Sequence, residues 1–430
     1  MKEKQPLIIG IAGYGTVGTG VVKTLEESFE IITQRIGRPI VIKTILVRDL
    51  NKTRTYTIPK TATLTDNMCL LTDDPDIDVI LELMGGIETP STLITRALDN
   101  GKHIVTANKA LLAEAGEELF RKAEEKGLSL LYEASVAGAI PIVQTLKESL
   151  AGNTISSIIG ILNGTSNYIL SQMTTENLDF STALNAAQEL GFAEADPTLD
   201  IDGHDAAHKL VLLIRLAYGV EYPYTEMPIY GIRHMDKMDI TIAREFGYRI
   251  KLLAQAHYVN GAIEAGVFPT LVHHRFLLSS VGGAYNAIRI EGNAVGSLFL
   301  HGKGAGDMPT ASAVVGDLLT IAREGQPHNT GFIKQVLEHA NILPPNDSSS
   351  CYYLRVMVND TSGVLRDIAG IMASQNISIA QVIQKPEEKG GVPLIFMTHM
   401  ALASSMYQAL KAIEAEKDLL SPAICYRVLH

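Results

Sequence analysis

The sequence predicts an α/β protein in three parts: a doubly wound parallel sheet, a second α+β domain and a C-terminal ferredoxin-like unit. Strand-like and helix-like segments alternate over residues 1–150, whereas 151–303 mixes helices with β-rich stretches. The linker-like segment PPNDSSS, 344–350, precedes residues 351–430, whose segments follow the order βαββαβ. A chain of 430 residues also exceeds the length of one ordinary domain.

The first 150 residues contain the segments expected of a parallel sheet covered on both faces. Apolar runs of strand length occur at 7–12, 40–47, 78–84, 103–107 and 128–134. Helix-like stretches lie between them at 16–35, 89–100 and 110–126. A later glycine loop leads into another helix, and residues 304–343 are expected to return to this first domain.

The second and third parts have different patterns. Between 151 and 303 we expect helices at 167–174, 181–190 and 203–218 and β-rich stretches at 263–272 and 287–295. In the C-terminal part we expect strands at 351–358, 377–384, 393–400 and 422–428, with helices at 362–375 and 404–416. That order predicts a ferredoxin-like sheet covered by two helices.

Composition and charge exclude several classes of protein. The chain is 46% hydrophobic and 19% charged, as expected of a soluble globular protein that buries a core. Its formal net charge of −11 provides no basic surface for nucleic acid or an anionic membrane. Three cysteines without metal or disulfide spacing, no signal peptide and no apolar run of about 18 residues indicate a cytoplasmic protein.

The segment GYGTVG follows a buried strand and opens a helix, the context of a dinucleotide site in a Rossmann-type sheet. Its first glycine would allow a tight turn, its second the approach of a pyrophosphate, and its third close packing of helix on strand. The helix N-terminus would offer N–H groups to the phosphates. The alternative is a structural turn in another doubly wound fold. The residues expected at the cofactor are Gly13, Tyr14, Gly15, Thr16, Val17 and Gly18.

The end of the next strand bears on the choice of cofactor. An acid there favours the ribose hydroxyl of NAD, whereas an arginine accommodates the 2′-phosphate of NADP. Arg48 comes first and favours NADP, and Asp49 beside it keeps NAD open.

Two lysines are candidates for chemistry. Lys109 ends the segment HIVTANK at the carboxyl edge of the sheet, where open α/β sheets bind ligands; a solvated loop lysine is the alternative. If 203–218 is helical, Asp205 and Lys209 lie one turn apart on one face. The following residues are almost wholly apolar, so this helix should be largely buried. A buried acid and lysine must then pair with each other or with a ligand.

His204 and His208 have the same one-turn spacing, which also suits metal ligands. No H-E-x-x-H motif accompanies them, and ordinary hydrogen-bonded histidines are favoured over a zinc site.

A series of motifs resembles homoserine dehydrogenase, in the expected order between residues 7 and 320. The motifs are GYGTVGTGV, ELMGG, TANKALL, YEASVAGAIP, ILNGTSNYIL, LGFAEADPTLDIDGHDAAHK and GKGAGDMPTASAVVGD. The C-terminal segment NDTSGVLRDIAGIMASQNISI resembles an ACT domain, a small amino-acid-sensing module. This layout is similar to the monofunctional bacterial form of the enzyme.

The resemblance implies the NAD(P)-dependent interconversion of L-aspartate 4-semialdehyde and L-homoserine, on the route to threonine and methionine. Lys209 matches the proton donor to the aldehyde oxygen, and Lys109 matches a second functional lysine near nicotinamide and substrate. Glu194 matches the substrate-binding glutamate, and Asp205 matches the acid that orients substrate or lysine. The domain 151–303 would then carry catalysis and dimerisation.

The resemblance also implies a monovalent cation, with sodium expected, held mainly by backbone carbonyls. The matching residues are Glu133, Val136, Gly138 and Ile140. The alternative for Glu133 is a buried carboxylate that caps backbone N–H groups. Gly306 falls in the loop that returns to the cofactor.

For the ACT-like domain, the resemblance favours feedback inhibition by threonine. The expected ligand residues are Asp360, Gly363, Val364, Leu365 and Asn376. The alternative is a purely dimerising module, because an exposed sheet edge pairs readily with a second copy. A homodimer or homotetramer is expected.

Two other functions are weighed against this one. The first is another NAD(P)-dependent oxidoreductase acting on an amino-acid aldehyde, oxo acid or imine. The second is a non-catalytic amino-acid sensor. The TANK and GHDAAHK segments together argue against the first, and the full set of Lys109, Glu194, Asp205 and Lys209 argues against the second.

Overall fold

The computed structural model describes residues 5–54, 56–324, 329–332, 337–387 and 390–429. The chain divides into two compact units. The first contains Met1–Ser156, Ala207–Glu226 and Tyr285–Ala340, and the second contains Ser157–Ala206, Met227–Ala284 and Asn341–His430.

The strands of the described residues are numbered in chain order. They are β1 (Leu7–Ala12), β2 (Ile40–Leu46), β3 (Thr63–Thr65), β4 (Val79–Glu82), β5 (His103–Thr106), β6 (Leu130–Leu131), β7 (Ile155–Ile161), β8 (Val220–Glu221), β9 (Tyr248–Val259), β10 (Ala262–His273), β11 (Tyr285–Gly292), β12 (Gly296–Lys303), β13 (Glu338–His339), β14 (Ser349–Val358), β15 (Ile379–Gln384), β16 (Val392–Thr398), β17 (Ala401–Leu402) and β18 (Ile424–Leu429).

The α-helices of the described residues are numbered in the same way. They are α1 (Thr16–Glu27), α2 (Phe29–Ile36), α3 (Cys69–Thr72), α4 (Glu88–Asp99), α5 (Lys109–Glu125), α6 (Ile142–Gln144), α7 (Gly164–Thr175), α8 (Phe180–Glu189), α9 (Thr198–Ile201), α10 (His204–Tyr218), α11 (Lys237–Glu245), α12 (Leu277–Ser280), α13 (Asp307–Glu324), α14 (Val364–Ser374) and α15 (Ala403–Glu414).

The first unit is built on a parallel sheet with the strand order β3-β2-β1-β4-β5-β6. The order reverses between β1 and β4, and ligands of open α/β sheets bind at the carboxyl ends of the strands at such a point. Apolar residues of β1, α1 and α13 share one core, among them Ile9, Val21 and Val314. Helix α13 therefore packs with the strand and helix that flank the glycine loop.

Two expected elements of this unit differ in the structure. The predicted helix 16–35 is two helices, because Ser28 between α1 and α2 leaves the helical region with φ −108° and ψ 17°. The predicted strand 128–134 is reduced to the two residues of β6. The chain turns directly afterwards into a short 3-10 helix, Glu133–Ser135, in which the Glu133 side chain is buried.

The second unit contains a mixed sheet in which β7, β9, β10, β18, β14, β16 and β15 are neighbours in that order. The C-terminal strands follow the ferredoxin-like order β18-β14-β16-β15, covered by α14 and α15. Their sheet continues that of the preceding segment, since β18 pairs in parallel with β10 through Thr270–Arg427, Leu271–Val428 and Val272–Leu429. The α/β class, the Rossmann-type sheet and the ferredoxin-like unit are thus confirmed.

Among the described residues, none of the helices combines the length and apolar character needed to cross a membrane.

Candidate active site

The three glycines of the loop between β1 and α1 meet different steric demands. Gly13 has φ +105°, and a Cβ there would lie 2.6 Å from the Leu83 carbonyl oxygen. A Cβ on Gly18 would lie 2.2 Å from the Gly13 carbonyl oxygen. A Cβ on Gly15 would meet no heavy atom of the described residues within 4 Å. The loop is therefore tightly packed at its two ends and open at Gly15, as a backbone that receives a pyrophosphate must be.

Helix α1 begins directly after Gly15, with no side-chain cap and no acid in its first turn. Its first N–H groups are consequently available to an anion, and the helix dipole favours negative charge there. Helix α13 packs closely against α1, because a Cβ on Gly20 would lie 2.8 Å from the Asp307 carbonyl oxygen. Gly306, with φ +127°, makes the turn into α13.

The loop after β2 exposes both Arg48 and Asp49. One oxygen of the Asp49 carboxylate already accepts the Asn51 N–H at 2.8 Å, and the Asp49 carbonyl accepts from Arg54 at 2.5 Å. Arg54 also donates to the carbonyls of Leu50 and Lys52. Arg54 thus holds the shape of this loop, a role that no sequence pattern indicates.

Lys109 is the first residue of α5, at the carboxyl end of β5, and its side chain is half-buried. The side-chain oxygen of Asn108 caps this helix by accepting the Leu111 N–H at 3.2 Å. Glu82, at the end of the neighbouring strand β4, is fully buried, and its carboxyl accepts the Thr106 hydroxyl at 2.6 Å. Burial raises the pKa of Glu82 to about 7 against the opposing effect of its hydrogen bonds. Glu82 belongs to the motif ELMGG but was given no role from the sequence.

Lys209 lies on α10 in the same unit and is 7% exposed. The neighbouring His208 places its Nε2 3.0 Å from Glu114 Oε1 of α5, and its ring 4.5 Å from that of Tyr224. The helices that carry the two candidate lysines are therefore in contact through His208.

The segment predicted to hold a cation begins at Glu133. The Glu133 carboxylate is buried and accepts the N–H groups of Val143 and Gln144 at 2.9 and 2.8 Å. The side chain thus caps α6, which is the alternative interpretation of this residue. Ala137 and Gly138 are both left-handed, with φ 54° and 58°, which turns the segment back on itself.

Asp317 of α13 lies against the same segment and accepts the Glu133 N–H at 2.8 Å. Burial, reinforced by the negative charge of Glu133, raises the pKa of Asp317 to about 8. A Cβ on Gly138 would lie 2.6 Å from the Gly304 carbonyl oxygen, so the segment also packs tightly on the loop before α13.

In the second unit, Asn163 organises two acids. Its side-chain oxygen caps α7 by accepting the Ser166 N–H at 2.7 Å. Its amide nitrogen donates to Asp200 at 2.6 Å and to Asp205 at 2.8 Å. Asp205, 6% exposed, is thereby fixed at the start of α10, and Asp200 emerges as a partner that the sequence did not single out.

Glu194 has a different environment. It lies on the exposed segment between α8 and α9, and its carbonyl accepts from Gln188 at 3.1 Å. Thr165 donates to the Phe192 carbonyl at 2.7 Å and so ties that segment to the start of α7. Glu194 therefore offers its carboxylate at the surface of this unit, where a ligand can reach it.

The candidate effector residues flank α14. Gly363 precedes the helix with φ 105°, and Asn376 follows it with φ 58°. Asp360, Leu365 and Asn376 are exposed, whereas Val364 packs in the core of the C-terminal sheet. The first turn of α14 has no side-chain cap, and it contains Asp367.

Family models account for most of the chain. A model of homoserine dehydrogenase matches residues 141–319, and a model of the NAD-binding domain of homoserine dehydrogenase matches 13–133. An ACT domain model matches 352–418.

Relatives of known name resemble the chain over nearly its full length. The homoserine dehydrogenase of Pseudomonas aeruginosa is 40% identical, with 99% of each chain covered. That of Helicobacter pylori is 42% identical, with 97% of each chain covered.

Solved structures show the same likeness. A homoserine dehydrogenase from Thiobacillus denitrificans has a TM-score of 0.94 at 41% identity, covering 99% of both chains. A hyperthermophilic archaeal homoserine dehydrogenase in complex with NADPH has a TM-score of 0.62 at 25% identity, covering 76% of this chain and 99% of its own. The matching family models, the relatives and the solved structures agree with the glycine loop and the C-terminal ACT domain. The chain therefore belongs to the homoserine dehydrogenase family.

Proposed function

We propose that the chain is an NAD(P)-dependent dehydrogenase that interconverts L-aspartate 4-semialdehyde and L-homoserine. The proposal rests on the first unit. There the glycine loop is open at Gly15, and the helices bearing Lys109 and Lys209 are in contact through His208 and Glu114. The reduction of an aldehyde to an alcohol requires a hydride donor and, at the aldehyde oxygen, positive charge and a proton source; the reverse oxidation requires a hydride acceptor and the same group, unprotonated, to take the hydroxyl proton.

The residues present fit a dinucleotide. The open position at Gly15 and the uncapped start of α1 would receive its phosphates, and the cofactor supplies hydride transfer when bound. NADP is proposed over NAD, because Arg48 is exposed whereas one oxygen of Asp49 already accepts the Asn51 N–H. The archaeal relative that holds NADPH supports the same preference.

The proposed acid–base chemistry rests on Lys209. Reduction of the aldehyde builds negative charge on its oxygen, and a protonated Lys209 would neutralise this charge and give up the proton. Lys109 would supply a second positive charge near the nicotinamide. Glu194 is an anionic partner for the substrate ammonium, and Asp205, held by Asn163, would orient substrate or lysine.

A monovalent cation, with sodium as the expected ion, is proposed to bind the carbonyls of Glu133, Val136, Gly138 and Ile140. The carbonyls of Glu133 and Ile140 each accept one backbone hydrogen bond and keep a second lone pair. Oxygen ligands suit a hard cation. A thermal-unfolding midpoint that rises with sodium chloride but not with choline chloride would support this site; equal effects of both salts would contradict it.

Threonine is proposed as the effector of the ACT domain, bound near Asp360, Gly363 and Asn376. Titration calorimetry on the full chain tests this, because β18 pairs with β10 and the domain is part of a continuous sheet. Absence of both binding and inhibition would leave the dimerising interpretation. Light scattering would then distinguish a homodimer from a homotetramer.

The test of the whole proposal is reduction of NADP and NAD by L-homoserine, each with and without L-threonine. Turnover supports the reaction, and the ratio of kcat/KM for the two cofactors tests Arg48. Loss of turnover on adding threonine supports the effector. No turnover with either cofactor, in a folded sample containing sodium, would favour another substrate or the sensor function.

A further inference from the structure

Glu82 is a fully buried carboxyl at the point where the strand order of the first unit reverses. It is the last residue of β4 and lies in register with Ala12 of β1 and Thr106 of β5. Ala12 leads into the glycine loop, whereas Thr106 leads into the start of α5. An apolar residue would fill this position at lower cost, because a buried carboxylate must be compensated by hydrogen bonds.

A chain of hydrogen bonds connects Glu82 with the residue before Lys109. One carboxylate oxygen accepts the Met84 N–H at 2.8 Å, and the other accepts the Thr106 hydroxyl at 2.6 Å. The Thr106 oxygen in turn accepts the Asn108 N–H at 3.0 Å. The Asn108 side chain caps α5 at Leu111 and donates to the Gly86 carbonyl at 2.8 Å. This hydrogen-bond relay of Glu82, Thr106 and Asn108 therefore holds both the turn after β4 and the start of α5.

The direction of these bonds requires an acceptor at position 82. The N–H groups of Met84 and Asn108 can only donate, and the single hydroxyl hydrogen of Thr106 points to Glu82. A glutamine would accept from Met84 through its oxygen and present its NH₂ group to Thr106. The Thr106 hydroxyl could then no longer donate to residue 82, so this hydrogen bond would be lost although glutamine has the same size and shape as glutamate.

We propose that Glu82, acting through Thr106 and Asn108, is a positioning residue that fixes Lys109 and the turn at residues 84–86 for hydride transfer. The role rests on the proposed function, since Lys109 is the cation it serves. The turn also abuts the cofactor loop, because the Leu83 N–H donates to the Ala12 carbonyl at 2.8 Å and a Cβ on Gly13 would collide with the Leu83 carbonyl. Glu82 thus links two segments of the site without belonging to either.

The test compares E82Q and T106V with T106S, which keeps the hydroxyl, and with T72V. Thr72 is also fully buried and its hydroxyl also donates to a carboxylate, that of Asp73 at 2.9 Å, but it lies on α3 outside the relay. We expect E82Q and T106V each to lower kcat for homoserine oxidation about 10–100-fold, the scale of a misplaced catalytic group, with the Kd for NADPH changed less than threefold. The double variant should lose no more than the worse single variant. T106S and T72V should keep kcat within threefold.

A second readout does not depend on turnover. The rate at which acetic anhydride modifies Lys109, measured by peptide mass spectrometry, should change at least threefold in E82Q and T106V and not in T72V. If the wild type fails to oxidise homoserine but this rate changes as expected, the proposed function fails and the positioning role stands. An unchanged Lys109 rate together with an unchanged kcat in T106V would overturn the inference, as would an equal loss of kcat in T72V.

Discussion

Lys209 is almost completely buried on α10. Its neighbour His208 contacts Glu114 and Tyr224. We expect Lys209→Ala to lower kcat by about 10²–10⁴, the scale of losing a general acid, with little change in cofactor affinity. Steady-state kinetics and an NADPH titration measure the two effects. Lys122→Ala, which removes a lysine paired with Asp99 at the surface, should leave kcat unchanged. A near-normal kcat for Lys209→Ala would remove this residue from proton transfer.

Lys251 on β9 is a buried cation of another kind. It donates to Asn167 at 3.0 Å and to the Val281 carbonyl at 2.5 Å, and burial, with a smaller effect of Arg249, lowers its pKa to about 7. The unfolded chain then binds one more proton than the folded chain between pH 7 and about 10.5. Stability should therefore rise with pH across this window, by at most about 1.4 kcal/mol per pH unit for this one group.

The Lys251 prediction is measured by urea unfolding at pH 7.5 and 9.5. Lys251→Met removes the titrating group, so its free energy of unfolding should rise less over this interval than that of the wild type. Lys237→Met, at an exposed position on α11, should leave the wild-type dependence intact. Parallel pH dependences for the wild type and Lys251→Met would show that the lysine stays protonated in the fold.

At the scale of elements, substitutions of two glycines in the same loop should affect different properties, one cofactor binding and the other stability. Gly15→Ala places its Cβ in open space, so the fold should survive while the phosphate approach is blocked. Gly18→Ala brings a Cβ to 2.2 Å from the Gly13 carbonyl, so strand and helix must move apart. We expect a more than tenfold loss of NADPH affinity with an unchanged unfolding midpoint for the first variant, and a lowered midpoint for the second. The Cβ of Gly316→Ala on α13 would meet no atom within 4 Å in the part of the chain that the structure describes, and this variant is the control for both.

The same loop shows what a sequence can predict. Gly13 and Gly18 act through neighbours a few residues away or on the adjoining strand, and the strand–loop–helix pattern predicted the tight turn at the first and the close packing at the second. The break at Ser28 and the early end of β6 could not be inferred, because the flanking residues are equally compatible with a continuous helix and a longer strand. Glu82 was also missed, since its role depends on the register of β1, β4 and β5, which pattern alone does not determine.

Asp205 illustrates the intermediate case. The apolar residues that follow Lys209 correctly suggested that this acid is buried, and it is 6% exposed. The bond from Asn163, forty-two residues away in sequence, was beyond pattern analysis because it requires α7 and α10 to meet. Local motifs therefore identified candidate residues, and only the tertiary structure identified the partners that orient them.

At the scale of the whole molecule, the C-terminal domain is joined to the rest of its unit by a buried ion pair as well as by the β10–β18 pairing. Arg355 of β14 donates to both oxygens of Asp239 on α11, at 2.6 and 2.9 Å, and Tyr353 donates to the same carboxylate at 2.8 Å. Asp239 is fully buried and Arg355 is 6% exposed. Burial raises the pKa of Asp239, and the arginine beside it opposes that shift.

Breaking this pair should therefore destabilise the unit far more than breaking an exposed one. We expect Asp239→Asn or Arg355→Met to cost about 3–5 kcal/mol of unfolding free energy. The first leaves the buried Arg355 with the half-exposed Asp236 as its acidic partner, and the second removes the cation beside the buried Asp239. The double variant should cost less than the sum of the two. Glu245 lies on the same helix as Asp239 and forms an exposed ion pair with Lys385. Glu245→Gln breaks that pair and should cost at most about 1 kcal/mol of unfolding free energy. Denaturant unfolding of the four variants measures this, and equal losses for Glu245→Gln and Asp239→Asn would mean that the buried pair does not hold the ACT domain in place.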